Sequence, residues 1–125
     1  MAEPLRILSV EDNADTRLLL KHTLQDDYEV AFASGVNDAL DAVASEPFDL
    51  LLLDINLGTE RGGVKLLHEV RERDDLDDVP AVALTAFAMP GDREDLLDQG
   101  FDAYVGKPFT NAELVRTIDR ALSDA

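Results

Sequence analysis

Apolar residues along this chain fall into two patterns, short solid runs and longer stretches with helical spacing. The clearest run is Leu50-Leu51-Leu52-Leu53, which ends on Asp54. A continuous apolar run of that length reads as a strand buried on both faces. Leu5–Val10 reads as an earlier strand that ends at Glu11-Asp12, and Tyr28–Ala33 as a second. Between them, Asp12 or Asn13 can cap a helix continuing to Leu24, with Ala14/Leu18 and Leu20/Leu24 paired at i,i+4. Ser34-Gly35 opens a helix carrying Val36, Ala39, Leu40 and Val43, and Pro47 closes that unit ahead of the leucine run. Leu57–Gly63 reads as a polar loop, followed by a helix with Val64, Leu66, Leu67 and Val70 on its apolar side. Pro80 precedes a fourth strand, Ala81–Thr85. Pro90-Gly91-Asp92 starts a short helix that Gly100 ends, and Ala103–Val105 is a brief fifth strand. Thr110 and Glu113 have capping-box spacing before a last helix with Leu114, Ile118, Ala121 and Leu122 on one face.

Five alternating strand–helix units predict an α/β fold, a doubly wound parallel sheet with helices on both faces in a three-layer sandwich. The expected strand order is the flavodoxin-like 2-1-3-4-5, whose switch point lies between strands 1 and 3. At 125 residues the chain is read as one domain over 1–125.

Composition narrows the function classes. The sequence has no cysteine, which excludes disulfides and thiolate metal sites. No apolar stretch approaches the length of a membrane span, and Met1–Pro4 lacks the basic start of a signal peptide, so a soluble cytoplasmic protein is expected. The net charge of −16 argues against direct binding to nucleic acid or anionic lipid. Most of the acids are expected to form a solvated surface of the kind halophiles use.

The chemistry collects at the strand exits. In the 2-1-3-4-5 order, strand 1 delivers Glu11 and Asp12, strand 3 Asp54, strand 4 Thr85, and strand 5 leads through Gly106 to Lys107. Strand 2 ends in Ala33 and is expected to contribute nothing. Clustered carboxylates repel one another unless a cation joins them. A hard divalent ion such as Mg²⁺ takes one or two carboxylates, and its remaining waters leave room for phosphate oxygens. An Asp carboxylate can act as a nucleophile and form an aspartyl phosphate. Lys107 and the metal would then neutralise the equatorial oxygens, with one more hydrogen bond from the Thr85 hydroxyl.

Glu11-Asp12, Asp54, Thr85-Ala86 and Tyr104-Val105-Gly106-Lys107-Pro108-Phe109, in this order and spacing, resemble the receiver domain of bacterial two-component response regulators. The resemblance implies that Asp54 accepts a phosphoryl group from a histidine kinase or phosphotransfer protein. It also implies that Glu11, Asp12 and the backbone carbonyl of Asn56 join Asp54 in holding Mg²⁺. Lys107 would pair with the carboxylate and then the phosphate, aimed by a cis bond to Pro108. Thr85 and Tyr104 would act as switch residues that remodel the helix 4–strand 5–helix 5 face for a downstream protein, or for a homodimer. The family is one of signalling modules rather than enzymes, with slow self-dephosphorylation.

Two features depart from the family pattern. Leu57-Gly58 stands where receivers commonly carry Met-Pro, and the loop up to Gly63 is longer by about one residue. Phe87 and Met89 follow strand 4 as loop anchors or as a docking patch, and bulky Phe87 is expected to slow phosphate hydrolysis. His22 and His68 read as helix surface or structural residues. Two other readings share part of the set. A Mg²⁺-dependent Asp-nucleophile phosphatase would carry a second acid two residues after the nucleophile, where Asn56 stands here. A phosphorylation-independent scaffold would have no use for the intact acid pair, acceptor, Thr and Lys.

Overall fold

Each strand is followed by a helix, and the turn chemistry at the junctions explains where each one stops. A computed structural model describes residues 5–55, 62–72, 79–85, 92–107 and 109–124. The elements are β1 (Arg6–Val10), α1 (Ala14–Leu24), β2 (Glu29–Ala33), α2 (Val36–Ser45) and β3 (Leu50–Asp54). They continue as α3 (Gly62–Arg71), β4 (Ala81–Thr85), α4 (Asp92–Asp98), β5 (Ala103–Gly106) and α5 (Asn111–Asp124). The Asn13 side chain caps α1 by accepting from the Thr16 N–H at 3.0 Å. The Thr110 hydroxyl oxygen does the same for α5, accepting from the Glu113 N–H at 3.1 Å. Gly100, at φ 113°, takes the left-handed conformation that ends α4.

The five strands are all parallel in the order β2-β1-β3-β4-β5, as the sequence predicts. The leucine run of β3 is central and divides its side chains between two cores. Leu51 and Leu53 join Leu8, Val10, Ala81 and Ala83 beneath α2 and α3. Leu50 and Leu52 join Ile7, Val82 and Leu84 beneath α1 and α5. Each leucine is buried, and removing one from such a core typically costs about 2–5 kcal/mol. Ser9 of β1 is also buried, and its hydroxyl has no hydrogen-bond partner among the described residues. Nothing in the structure explains a hydroxyl there.

Two expectations change. Leu20 and Leu24 are buried, but Leu18 and Leu19 are 56% and 47% exposed. Residues two apart on a helix lie on opposite sides, so the Ala14/Leu18 pair cannot share the inner face of Leu20/Leu24. Helix α3 starts at Gly62, inside what reads in sequence as loop, and Gly62 and Gly63 are buried.

The strand edge away from the acidic residues is braced by arginines. The Arg6 N–H donates to Asp49 at 2.8 Å, and its guanidinium reaches Glu46 at 2.9 Å over the Phe48 ring. Arg71 donates to the Val79 carbonyl and lies 3.6 Å from Asp102, whose carboxylate accepts from the Ala81 N–H. On the α1–α5 side, the Tyr28 hydroxyl donates to Asp119. Burial, and then that hydrogen bond, push the Tyr28 phenol well above its ordinary range.

Asp26, Asp27 and Asp98 are exposed, in keeping with a solvated acidic surface. The thermal midpoint is expected to rise by several degrees from low salt to about 1 M KCl, where the Debye length falls to roughly 3 Å. A calorimetric midpoint indifferent to KCl would remove the halophile reading.

Candidate functional site

The site forms where β1 and β3 end side by side. Their last paired residues are Val10 and Leu53, so Glu11 and Asp54 leave the sheet as neighbours. The Glu11 backbone is held from two directions. Its N–H donates to the Ala33 carbonyl at 3.0 Å, and its carbonyl accepts from the Arg17 guanidinium at 2.8 Å. Strand β2 thus contributes a backbone acceptor, correcting the expectation that it brings nothing. Glu11 is 1% exposed, Asp54 is buried and Asp12 is exposed. Each of the three offers a carboxylate oxygen within 4.8 Å of the others.

Thr85 and Lys107 arrive from the other side. Thr85 ends β4, buried, in register with Gly106 of β5. The Lys107 N–H donates to the Thr85 carbonyl at 2.7 Å, which turns the chain back toward the acids. The Lys107 ammonium lies 3.3 Å from a Glu11 oxygen and 3.7 Å from Asp54. It therefore sits nearer to Glu11 than to the expected acceptor.

Burial, reinforced by the hydrogen bond and charge of Asp54, pushes the Glu11 carboxyl up to about 7, while Lys107 pulls it down. Two carboxylates this close favour sharing a proton unless a cation separates them. The donors are all carboxylate oxygens, which suits a hard divalent ion such as Mg²⁺. The set fits such an ion.

The other sequence candidates are distributed unevenly. Tyr104 is half-buried on β5 and borders a cleft of about 780 Å³ shared with Leu97, Arg116 and Arg120. His22 and His68 are exposed on α1 and α3. Asn56, Ala86, Phe87, Met89 and Pro108 lie outside the described residues, as does most of the Leu57–Gly63 loop. Sequence reasoning missed Arg17, whose position one helical turn beyond the acid pair was the available signal. It also missed the contact between Gly63 and Asp54.

Fold and site together define a doubly wound α/β domain with an acid-lined crevice at its topological switch point. Residues 7–119 match the response regulator receiver domain family, and the chain belongs to that family, which serves two-component signalling. It is 33% identical over 123 residues to the polar-differentiation response regulator DivK of Brucella anthropi, covering 98% of this chain and 99% of that protein. The chemotaxis response regulator CheY4 of Vibrio cholerae superposes with a TM-score of 0.88 at 28% identity, covering 95% of this chain and 99% of that one. The receiver domain of a sensor histidine kinase from Pseudomonas aeruginosa gives a TM-score of 0.86 at 32% identity, over 97% of this chain and 99% of that one. Its crystal structure holds a magnesium ion coordinated in the active site cleft. Among the described residues, no helix is long and apolar enough to cross a membrane.

Proposed function

We propose that residues 1–125 work as one cytoplasmic receiver unit whose Asp54 is phosphorylated by a histidine kinase or phosphotransfer protein. The observation that carries this reading is the Glu11–Asp12–Asp54 carboxylate cluster with Lys107 reaching into it. An Asp54 oxygen attacks the phosphorus of a phosphohistidine, the P–N bond breaks, and its electron pair stays on the imidazole, which takes a proton from solvent. Mg²⁺, held by Glu11, Asp12, Asp54 and the Asn56 carbonyl, would supply charge neutralisation for the transferring phosphoryl oxygens. Lys107 moves its ammonium from the carboxylates to a phosphate oxygen, and the Thr85 hydroxyl donates to another. Both contacts improve once phosphate is present, so phosphorylation biases Thr85, Tyr104 and the α4–β5–α5 face toward the state that makes them. That face then binds a downstream protein or a second copy of the chain.

Incubation with acetyl phosphate and Mg²⁺, followed by intact mass measurement, tests the reading. One phosphate should be gained per chain, and none after chelation of the metal. No adduct under conditions that phosphorylate other receivers would favour a scaffold, and steady turnover of a small phosphoester would favour a phosphatase.

Lys107→Ala is a second test. Removing a preorganised charge donor from a water-poor site typically costs about 10²-fold or more in rate. The phosphorylation rate should fall by roughly that factor while the fold persists by circular dichroism. A rate within about threefold of wild type would remove Lys107 from the chemistry.

A further inference from the structure

Helix α3 meets the end of β3 backbone to backbone, and the contact falls on Asp54. The Gly63 N–H donates to the Ile55 carbonyl at 2.9 Å. A Cβ on Gly63 would lie 2.1 Å from the Asp54 carbonyl oxygen, 2.8 Å from its carbon and 3.0 Å from the Ile55 Cα. All three are backbone atoms, so no side chain can rotate out of the way. The helix cannot retreat without unpacking Val64, Leu66, Leu67 and Val70, all of them buried. The strand end is held too, with Asp54 paired to Leu84 and the Ile55 N–H donating to the Leu84 carbonyl at 3.0 Å, so an added Cβ must move the Asp54 carbonyl and the first turn of α3 against each other. At Gly35, by contrast, a Cβ would meet nothing within 4 Å.

We infer that Gly63 is a positioning residue, the seat on which α3 fixes the direction in which Asp54 presents its carboxylate to Lys107 and Glu11. The inference rests on Asp54 being the phosphoacceptor for its effect on rate, and on geometry alone for its effect on Asp54.

Gly63→Ala and the control Gly35→Ala test this in the full chain. The phosphorylation rate with acetyl phosphate and Mg²⁺ is read per folded molecule, with the folded fraction taken from circular dichroism. The ¹³C carboxyl resonance of Asp54 is read in metal-free protein. Gly63→Ala should slow phosphorylation by about 10²-fold, the usual effect of displacing a reacting group by about 1 Å, and should shift the Asp54 resonance. Gly35→Ala should do neither. A folded Gly63→Ala protein with the wild-type rate and an unmoved resonance would overturn the inference. Should Gly63→Ala not fold, hydrogen exchange in the wild type decides. The Gly63 amide should exchange only through global unfolding, and rapid local exchange would overturn the inference. A wild-type chain that takes no phosphate would defeat the phosphoacceptor reading, leaving the resonance and exchange measurements to judge Gly63.

Discussion

Asp54→Asn is expected to eliminate the phosphate adduct and, in metal-free protein, to raise stability. The amide keeps the shape of the carboxylate but is not a nucleophile, so the mass gain seen with acetyl phosphate should vanish. The stability gain follows from the same geometry. In the wild type, Glu11 and Asp54 each hold an oxygen within 4.8 Å of the other, both are buried, and Lys107 is shared between them. Removing one negative charge leaves Lys107 to Glu11 alone, and like-charge repulsion in a buried pair is worth on the order of 1–2 kcal/mol. Urea unfolding near pH 8 should show the gain, and Mg²⁺ should stabilise the variant less than the wild type. An adduct that survives in Asp54→Asn would place the phosphate on another residue. A variant less stable than wild type without metal would mean that repulsion is not what limits the site.

The second large effect concerns pH. Glu11 titrates from an ordinary 4.5 in the unfolded chain to about 7 in the fold, chiefly because it is buried and secondarily because Asp54 is beside it. Between those values the folded state holds a proton that the unfolded state has released. Stability should therefore fall as pH rises through that window and level off above it. The displacement corresponds to about 3 kcal/mol in metal-free protein. Below about pH 4.5 Glu11 is protonated in both states and contributes no slope. Mg²⁺ competes for the same oxygens, so its addition should flatten the dependence and release a proton below pH 7. Glu11→Gln isolates the effect, because the slope lost in that variant is the part owed to this carboxyl. Denaturation midpoints for the two proteins from about pH 4.5 to 8, with and without Mg²⁺, measure it. Parallel curves would show that Glu11 ionises normally.

Much of this architecture could be read from the chain. The Leu50–Leu53 run, the capping side chains of Asn13 and Thr110, and the terminating Gly100 are local signals that tertiary structure did not override. The candidate site was legible because four of the five strand exits lead to polar residues and the parallel topology gathers those exits along one edge. What escaped was set by contacts between segments distant in sequence. Leu18 and Leu20 are equally apolar, and only the placement of α1 against the sheet decides which is covered. Gly62-Gly63 has the composition of a loop, yet close approach to Asp54 makes glycine the residue that lets a helix start there. Arg17 and the Ala33 carbonyl act through backbone groups of Glu11, and side-chain motifs carry no trace of such contacts.

The arginine braces described for the opposite edge bear on which end of the sheet stays fixed. Arg6 ties β1 to the start of β2 and to the segment before β3, and Arg71 ties α3 to the residues just ahead of β4 and β5. Scarce cations are thus spent where no partner has to be exchanged, like the stitched spine of a book. These braces lie away from the crevice, so the proposed move of Lys107 from carboxylate to phosphate would leave them in place.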